Sequence, residues 1–115
     1  MALDPDCIFC KIIEGQIPAD IVFRNENVVA FSDLNPQAPT HVLIIPTLHT
    51  ENAASLAKIS ATITAALFTA ASEIASERAL TGYRTVFNTG ADAGQSVFHA
   101  HLHLLGGRGL AWPPG

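Results

Sequence analysis

Three histidines occupy alternate positions near the end of the chain: His99, His101 and His103. Because successive side chains of a β-strand point to opposite faces, this spacing predicts a strand over residues 96–104 with the imidazoles in one row, roughly 6.6 Å apart. The positions between them form an apolar face that we expect in the core: Phe98, Ala100, Leu102 and Leu104. Near neutral pH an imidazole can be nucleophile, general base or proton donor, so the row predicts transfer chemistry on an anionic group.

Two kinds of site can be built from such a row. Neutral imidazole is a common zinc ligand, and three alternating histidines could chelate zinc as a hydrolytic reaction centre. The residues just before the row, Gly94, Gln95 and Ser96, instead offer backbone N–H groups and a hydroxyl suited to phosphate oxygens, and we favour phosphate. Attack on phosphorus needs the second ring nitrogen of the nucleophile to be tied down. We expect a backbone carbonyl to hold it, since Ala100 and Leu102 have no polar side chain.

The composition limits the classes of protein to which the chain can belong. A length of 115 residues with 49% hydrophobic residues predicts one globular domain, residues 1–115, with an irregular tail over residues 106–115. A net charge of −4 with six scattered Lys and Arg residues argues against a nucleic-acid partner. No apolar run reaches the ~20 residues that span a bilayer, and residues 1–7 lack the features of a signal peptide. We therefore expect a cytoplasmic protein without a membrane partner.

The apolar patterns predict an α+β protein with strands on both sides of a helical region. Ser60 is a plausible N-cap for a long helix that reaches about Leu80, covers one sheet face and is stopped by Gly82. Shorter helices are predicted over residues 7–14 and 50–56. Strands are predicted over residues 21–24, 28–33, 41–45 and 83–88, in addition to the histidine strand.

Several separated motifs resemble the histidine triad (HIT) superfamily. The segments that carry the resemblance are residues 94–105, residues 31–41, and the closing Trp112, Pro113, Pro114 and Gly115. The last two are similar to the HINT branch, the histidine triad nucleotide-binding phosphoramidases. The resemblance implies a HIT-like fold: a five-stranded antiparallel meander sheet with one long and one or two short helices, extended across a homodimer.

The resemblance also implies an activity, the hydrolysis of purine nucleoside 5′-phosphoramidates to the nucleoside monophosphate through a nucleotidyl-histidine intermediate. His101 corresponds to the nucleophile and His103 to the histidine that holds a nonbridging phosphate oxygen. His99 would help to orient the nucleophile, and Ser96 corresponds to the serine near the leaving amine. No cofactor is required for this step.

Further residues match nucleotide-binding positions of the family. Asp33 would hold the ribose, and Asn88 would contact phosphate or ribose. The other matched positions are Leu34, Phe31 and Ile12 around the base, Gly94 and Gln95 before the triad, His41 near it, and Trp112 from the partner subunit. Each polar position has a plainer alternative: Asp33 and Asn88 can be turn residues, and His41 can make a structural hydrogen bond. Trp112 can pack on its own subunit.

Cys7 and Cys10 have the spacing of half a zinc site. Microbial relatives that this chain resembles complete such a site with two histidines, which correspond here to His49 and His99. The resemblance thus implies a structural zinc ion, and the alternative is a pair of reduced thiols.

Two other functions remain open at this level. One is the hydrolysis of dinucleoside polyphosphates, which belongs to a neighbouring HIT branch, although the ending Trp112–Gly115 favours the phosphoramidases. The other is a nucleotide-binding regulatory protein with incidental catalysis. In each case the expected partner is a purine nucleotide such as AMP or GMP.

Overall fold

The computed structural model describes residues 3–115, which form three α-helices, a short 3-10 helix and one sheet. The helices are α1 (Ile8–Ile13), α2 (Ala53–Ile59) and α3 (Ala61–Glu77), with the 3-10 turn at Ala91–Ala93. The strands are β1 (Ile21–Arg24), β2 (Val28–Ser32), β3 (Thr40–Pro46), β4 (Tyr83–Phe87) and β5 (Leu102–Gly106). The α+β class, the single long helix and the two short ones are confirmed. None of the helices in residues 3–115 has both the length and the apolar character needed to cross a membrane.

The five strands form one antiparallel sheet in the order β1-β2-β3-β5-β4. The predicted antiparallel sheet is confirmed, and its meander extends over β1 to β3. After β3 the chain passes through helices α2 and α3 and then forms β4 at the sheet edge. The place next to β3 is left for β5. The last strand, β5, then returns between β3 and β4, which brings the end of the chain against its centre.

The sheet is buried on both faces at its centre. Helix α3 packs on one face over a cluster of apolar residues that includes Val42, Ile44, Leu102 and Leu104. Helix α1 covers the other face with a second cluster: Phe9, Cys10 and Ile12 against Val29, Phe31, Leu43 and Ile45. Strands β2 and β3 therefore read as continuous apolar runs, as expected for strands covered on two sides.

Helix α3 begins where the sequence predicts and ends earlier. The Ser60 side chain accepts a hydrogen bond from the Ile63 N–H at 3.1 Å, as an N-cap does. The helix stops at Glu77 because Ala79 adopts a left-handed conformation with φ 55°. The N–H of Leu80 then donates to the carbonyl of Ala75, which satisfies the last turn. The predicted end at Leu80 with Gly82 as the stop is therefore wrong.

Helix α2 is displaced from the predicted residues 50–56. The side chain of Asn52 caps it by accepting the Ser55 N–H at 2.9 Å, so the first helical residue is Ala53. Thr50 stays outside the helix, and its carbonyl accepts the Ala100 N–H at 2.8 Å.

The histidine strand is shorter than predicted. Strand β5 begins at Leu102, so only His103 of the three histidines lies within it. Its ladder with β3 ends at Leu102, and the N–H of Ala100 bonds instead to the loop carbonyl of Thr50. The expected core face is also interrupted, because Phe98 is 45% exposed. His99 and His101 therefore lie in the irregular segment before the strand, and the rings of His101 and His103 are 5.1 Å apart.

Candidate active site and metal centre

Among residues 3–115, His101 has a hydrogen-bond partner at one ring nitrogen and none at the other. Its Nδ1 lies 2.8 Å from the backbone carbonyl oxygen of His99. A carbonyl only accepts hydrogen bonds, so Nδ1 carries the proton and Nε2 has a lone pair. The ring is buried and meets Phe9 edge to face at 5.1 Å. The backbone carbonyl expected from the sequence is present, and it leaves Nε2 available for attack.

His103 is the last member of a chain of hydrogen bonds that begins at the backbone of Gln37 and passes through His41. The backbone N–H of Gln37 donates to Nδ1 of His41 at 3.0 Å, so the proton of neutral His41 is on Nε2. This Nε2–H donates to Nδ1 of His103 at 2.9 Å. His103 therefore carries its own proton on Nε2, a buried atom without a hydrogen-bond partner among residues 3–115. A ring held in this form presents an N–H donor to an anion.

Burial keeps the imidazoles of this network neutral. It lowers the pKa of His103 to about 4, and the nearby rings of His101 and His41 act in the same direction. Burial also lowers the pKa of His41, although the Asp33 carboxylate opposes this shift. At neutral pH the Nε2–H donor of His103 is thus uncharged.

Asp33 caps a turn and also faces the histidines. Its Oδ1 accepts the N–H of Asn35 at 2.8 Å, and its own N–H donates to the His41 carbonyl at 2.9 Å. Its Oδ2 lies 3.4 Å from Nε2 of His41. The turn role that the sequence left open is therefore confirmed. The carboxylate also stands beside the imidazoles, where a bound nucleotide could reach it.

The residues expected around a base differ in burial. Ile12 and Phe31 are buried in the cluster between α1 and the sheet. The ring of Phe9 packs edge to face on that of Phe31 at 5.6 Å. Leu34 is fully exposed and contributes no wall in the isolated chain. Phe9 was not predicted as a site residue, since an aromatic residue in a short helix gives no signal beyond core packing.

The loop before the histidines is held by its own hydrogen bonds. The N–H groups of Gly94 and Gln95 donate to the carbonyls of Ala91 and Gly90, at 2.9 and 3.1 Å. The Gln95 side chain accepts the Gly90 N–H at 2.8 Å and donates to the carbonyls of Glu51 and Val97, at 2.7 and 3.0 Å. The turn therefore uses the N–H groups of Gly94 and Gln95, and their predicted contact with phosphate stays a prediction.

Two polar residues of this region remain accessible. Ser96 is exposed, and Asn88 is half-buried at the end of β4. The Nδ2 atom of Asn88 lies 4.0 Å from where a Cβ on Gly94 would stand. Ser96 shares a surface pocket with Cys7 and His49, and Asn88 lies beside the loop at Gly94.

A second cluster joins Cys7, Cys10, His49 and His99, whose donor atoms all lie within 4.8 Å of one another. Cys10 Sγ is 3.3 Å from His49 Nδ1 and 3.5 Å from His99 Nδ1, and Cys7 Sγ is 3.6 Å from His99 Nδ1. The two Nδ1 atoms are 3.1 Å apart. A tetrahedral zinc ion sets sulfur and nitrogen about 3.5 Å apart and two nitrogens about 3.3 Å apart. The spacing of the four donors fits zinc.

The chemistry of these donors also fits a metal. His99 donates Nε2–H to the Pro46 carbonyl at 2.9 Å, which directs the lone pair of Nδ1 into the cluster. Burial lowers the pKa of His99 to about 4 and raises the pKa of the Cys10 thiol to about 11. A bound cation would replace the thiol proton and stabilise the thiolate. Neither cysteine is in a disulfide within the described residues.

A third group, Asp33, His41 and His103, is equally compact but does not fit a metal. Nδ1 of His41 already accepts the Gln37 N–H, so binding a cation through Nε2 would require an imidazole without any ring proton. This group is better described as a hydrogen-bond relay, which we call the Gln37–His41–His103 relay.

The C-terminal segment is attached by arginines that the sequence did not single out. Arg108 donates from Nε and NH2 to the carbonyl of Gln37, at 3.1 and 2.8 Å, and Arg84 donates to the carbonyl of Ala111 at 3.0 Å. Trp112 is nevertheless 82% exposed. The alternative that it packs on its own subunit is therefore wrong, because these contacts hold the backbone and leave the indole in solvent.

Comparisons with known proteins agree with this geometry. The profile of the HIT domain matches residues 14–110. The chain is 47% identical to a 14 kDa zinc-binding protein of Zea mays over 97% of this chain and 90% of that protein. It is 42% identical to the purine nucleoside phosphoramidase of Escherichia coli, with 91% and 90% covered.

A solved structure shows the same fold. A HIT family hydrolase from Legionella pneumophila superposes with a TM-score of 0.92 at 46% identity, over 96% of this chain and all of that one. The domain match covers most of the sequence, and the relatives align over nearly their full lengths. The chain therefore belongs to the HIT domain family.

Proposed function

We propose that this protein hydrolyses purine nucleoside 5′-phosphoramidates to the nucleoside monophosphate and an amine. The observation that carries the proposal is the pairing of two complementary imidazoles. His101 has a free Nε2 because its Nδ1–H is held by the His99 carbonyl, and His103 has an unpartnered Nε2–H. One ring can attack phosphorus while the other donates to a phosphate oxygen. The similarity to the Escherichia coli phosphoramidase supports this substrate class.

In the first step, Nε2 of His101 forms a bond to the α-phosphorus as the bond from phosphorus to the amine nitrogen breaks. The amine leaves with the electron pair of that bond and gains a proton, for which we assign the Ser96 hydroxyl as donor. His103 stabilises the charge on a nonbridging oxygen through its Nε2–H. The product on the enzyme is a nucleotidyl-histidine.

In the second step, water attacks phosphorus and the bond to His101 breaks. The proton that water releases returns to the Ser96 oxygen and restores the hydroxyl that protonated the amine in the first step. His101 returns to its starting form, with Nδ1–H still on the His99 carbonyl. The monophosphate then leaves, and no metal takes part in either step of this scheme.

The same proposal assigns the nucleoside end of the site. Asp33 accepts hydrogen bonds from the ribose through the lone pairs that its turn contacts leave free. Ile12 and Phe31 flank the base, and Asn88 contacts phosphate or ribose. Leu34, exposed in the isolated chain, offers an apolar side chain to the base.

We also propose that the active form is a homodimer. Strand β4 is at the sheet edge, with unpaired backbone groups that a second copy can satisfy. Tyr83 on this strand and Phe68 on the adjoining helix are each more than 40% exposed, and Trp112 projects from the tail. Joining two sheets at β4 would cover these side chains.

His101→Ala tests the proposed reaction. We expect the variant to lose adenosine 5′-phosphoramidate turnover by on the order of 10⁴-fold while AMP still binds, because the nucleophile is removed and its pocket remains. Rapid quench and mass spectrometry of the unmodified protein should show one nucleotidyl group on His101. Ser32→Ala, a substitution on the same sheet outside these contacts, is the matched control.

Turnover by His101→Ala at the rate of the unmodified protein would reject the mechanism. A parallel assay with a dinucleoside polyphosphate separates the two hydrolase functions, since the proposal requires the phosphoramidate to react faster. Binding of AMP without turnover of either substrate would indicate the regulatory function.

A further inference from the structure

His99 belongs to both of the clusters described above. Its ring faces Cys7, Cys10 and His49, and its backbone carbonyl accepts the Nδ1–H of His101 at 2.8 Å. One residue thus connects a metal-binding group with the candidate nucleophile. The connection runs through a single peptide unit.

The carbonyl of His99 lacks the support of a strand. The ladder between β3 and β5 stops at Leu102, three residues further along the chain. Ala100, the next residue, is tied to the loop carbonyl of Thr50. The N–H of Ala100 belongs to the same planar peptide unit as the His99 carbonyl. The orientation of that unit is therefore set by the anchoring of the His99 side chain and by the segment of Thr50, which directly follows His49.

That side chain is fully buried and has two anchoring points. Nε2–H donates to the Pro46 carbonyl at 2.9 Å, which fixes one edge of the ring. Nδ1 at the other edge faces two sulfur atoms and the Nδ1 of His49, where a metal ion would hold it. With both anchors the ring cannot turn about the Pro46 bond.

Phe9 adds a second connection between the two clusters. It lies in α1 between the two cysteines, and its ring meets His99 at 5.9 Å and His101 at 5.1 Å, edge to face in both cases. A metal that fixes Cys7 and Cys10 therefore also fixes the aromatic ring against which His101 packs.

We propose that a metal ion held by Cys7, Cys10, His49 and His99 positions the nucleophile, with His99 and Phe9 as the positioning residues. The ion locks the His99 peptide so that its carbonyl keeps the proton of His101 on Nδ1. This inference rests on the proposed function only for the role of His101 in attack. It goes beyond a structural metal, which would stabilise the fold without affecting the tautomer of His101.

The experiment compares zinc-loaded protein, metal-free protein and the His49→Gln variant. His49 is a suitable ligand to change because its contacts lie within the metal cluster, away from His101. Leu67 is a fully buried residue of α3 that contacts neither the metal donors nor the imidazoles of His101 and His103. Leu67→Ala therefore serves as the control that lowers stability alone. Three quantities are measured: the 15N shifts of the His101 ring, the AMP dissociation constant and the single-turnover rate of nucleotidyl-histidine formation.

We expect zinc-loaded protein and Leu67→Ala to show His101 with its proton on Nδ1. Metal-free protein and His49→Gln should show both tautomers and form the intermediate about 10- to 100-fold more slowly, the range for lost support of a site residue. Binding of AMP should change much less than the rate. If metal-free protein does not fold, the comparison rests on His49→Gln, which keeps three of the four donors.

Unchanged 15N shifts of His101 in folded metal-free protein or in His49→Gln would overturn the inference. So would an equal loss of rate in Leu67→Ala, since that result assigns the effect to stability. The shifts are measured with AMP bound and need no turnover. A failure of the proposed reaction is therefore seen separately, as a zinc-loaded protein that has the expected tautomer and forms no intermediate.

Discussion

The Gln37–His41–His103 relay leads to a paired prediction at His41. His41→Phe removes the Nε2–H that bonds to Nδ1 of His103 at 2.9 Å, whereas His41→Gln places a side-chain N–H at a similar distance from the backbone. Both side chains suit a position that is 7% exposed. The two variants thus differ mainly in whether His103 still receives a donor.

The size of the effect follows from that one hydrogen bond. A buried hydrogen bond contributes about 1–1.5 kcal/mol, so its loss removes roughly a tenfold preference for the form of His103 that carries Nε2–H. Complete loss of a donor to the reacting phosphate lowers rates by about 10²–10³. We expect His41→Phe to lie between these limits, about 10- to 100-fold slower than the unmodified protein. His41→Gln should stay within about threefold.

Single-turnover kinetics with adenosine 5′-phosphoramidate measures the rate, and 15N shifts of His103 report its tautomer. The pKa of His103, about 4, means that the comparison can be made at neutral pH without protonation of this ring. If His41→Phe reacts as fast as the unmodified protein and His103 keeps its proton on Nε2, the relay has no role in setting the donor.

Three further predictions concern stability and assembly. Leu67→Ala should lower the free energy of unfolding by about 2–5 kcal/mol in urea titrations, because it opens a cavity beneath α3; a loss below about 1 kcal/mol would contradict this packing. Burial lowers the pKa values of His99 and His103 to about 4, so the unfolded chain binds two protons that the native chain lacks; metal-free protein should lose about 2 kcal/mol for each ring, or about 4 kcal/mol, between pH 7 and pH 5, and constant stability would refute the shifts. Trp112 is the single tryptophan, so dilution of a homodimer should move its emission to longer wavelength, whereas emission that is independent of concentration would oppose burial by a partner.

Local patterns predicted the regular elements well. The apolar spacing around Leu67 and the cap at Ser60 identified α3, and the runs of branched residues identified β1 to β3. The alternation of Phe98 to Leu104 misled the prediction of β5, because an irregular segment that bonds to Thr50 can show the same pattern. Alternating residue types indicate which side chains can share a face. They do not show that the segment is hydrogen-bonded to a neighbouring strand.

The candidate site depends on pairings that no local pattern contains. The register of β3 with β5 places His41 beside His103, which is 62 residues away in sequence. The cysteine spacing indicated half of a metal site, and His49 and His99 came from family resemblance. The hydrogen bonds of Gly94 and Gln95 could not be foreseen, because a glycine-rich loop has the same composition whether its N–H groups face a ligand or its own turn.

The position of β5 between β3 and β4 determines how the site could be divided. The segment at residues 78–82 separates Asp33, His41 and His49 on one side from His101 and His103 on the other. A cut there divides both the metal donors and the imidazoles between two pieces. The later piece carries β4 and β5 and must pair β5 with β3 to rejoin them. Neither piece can assemble the site alone. The chain is therefore a natural candidate for a split reporter, in which recovered hydrolysis signals that two fused partners have met.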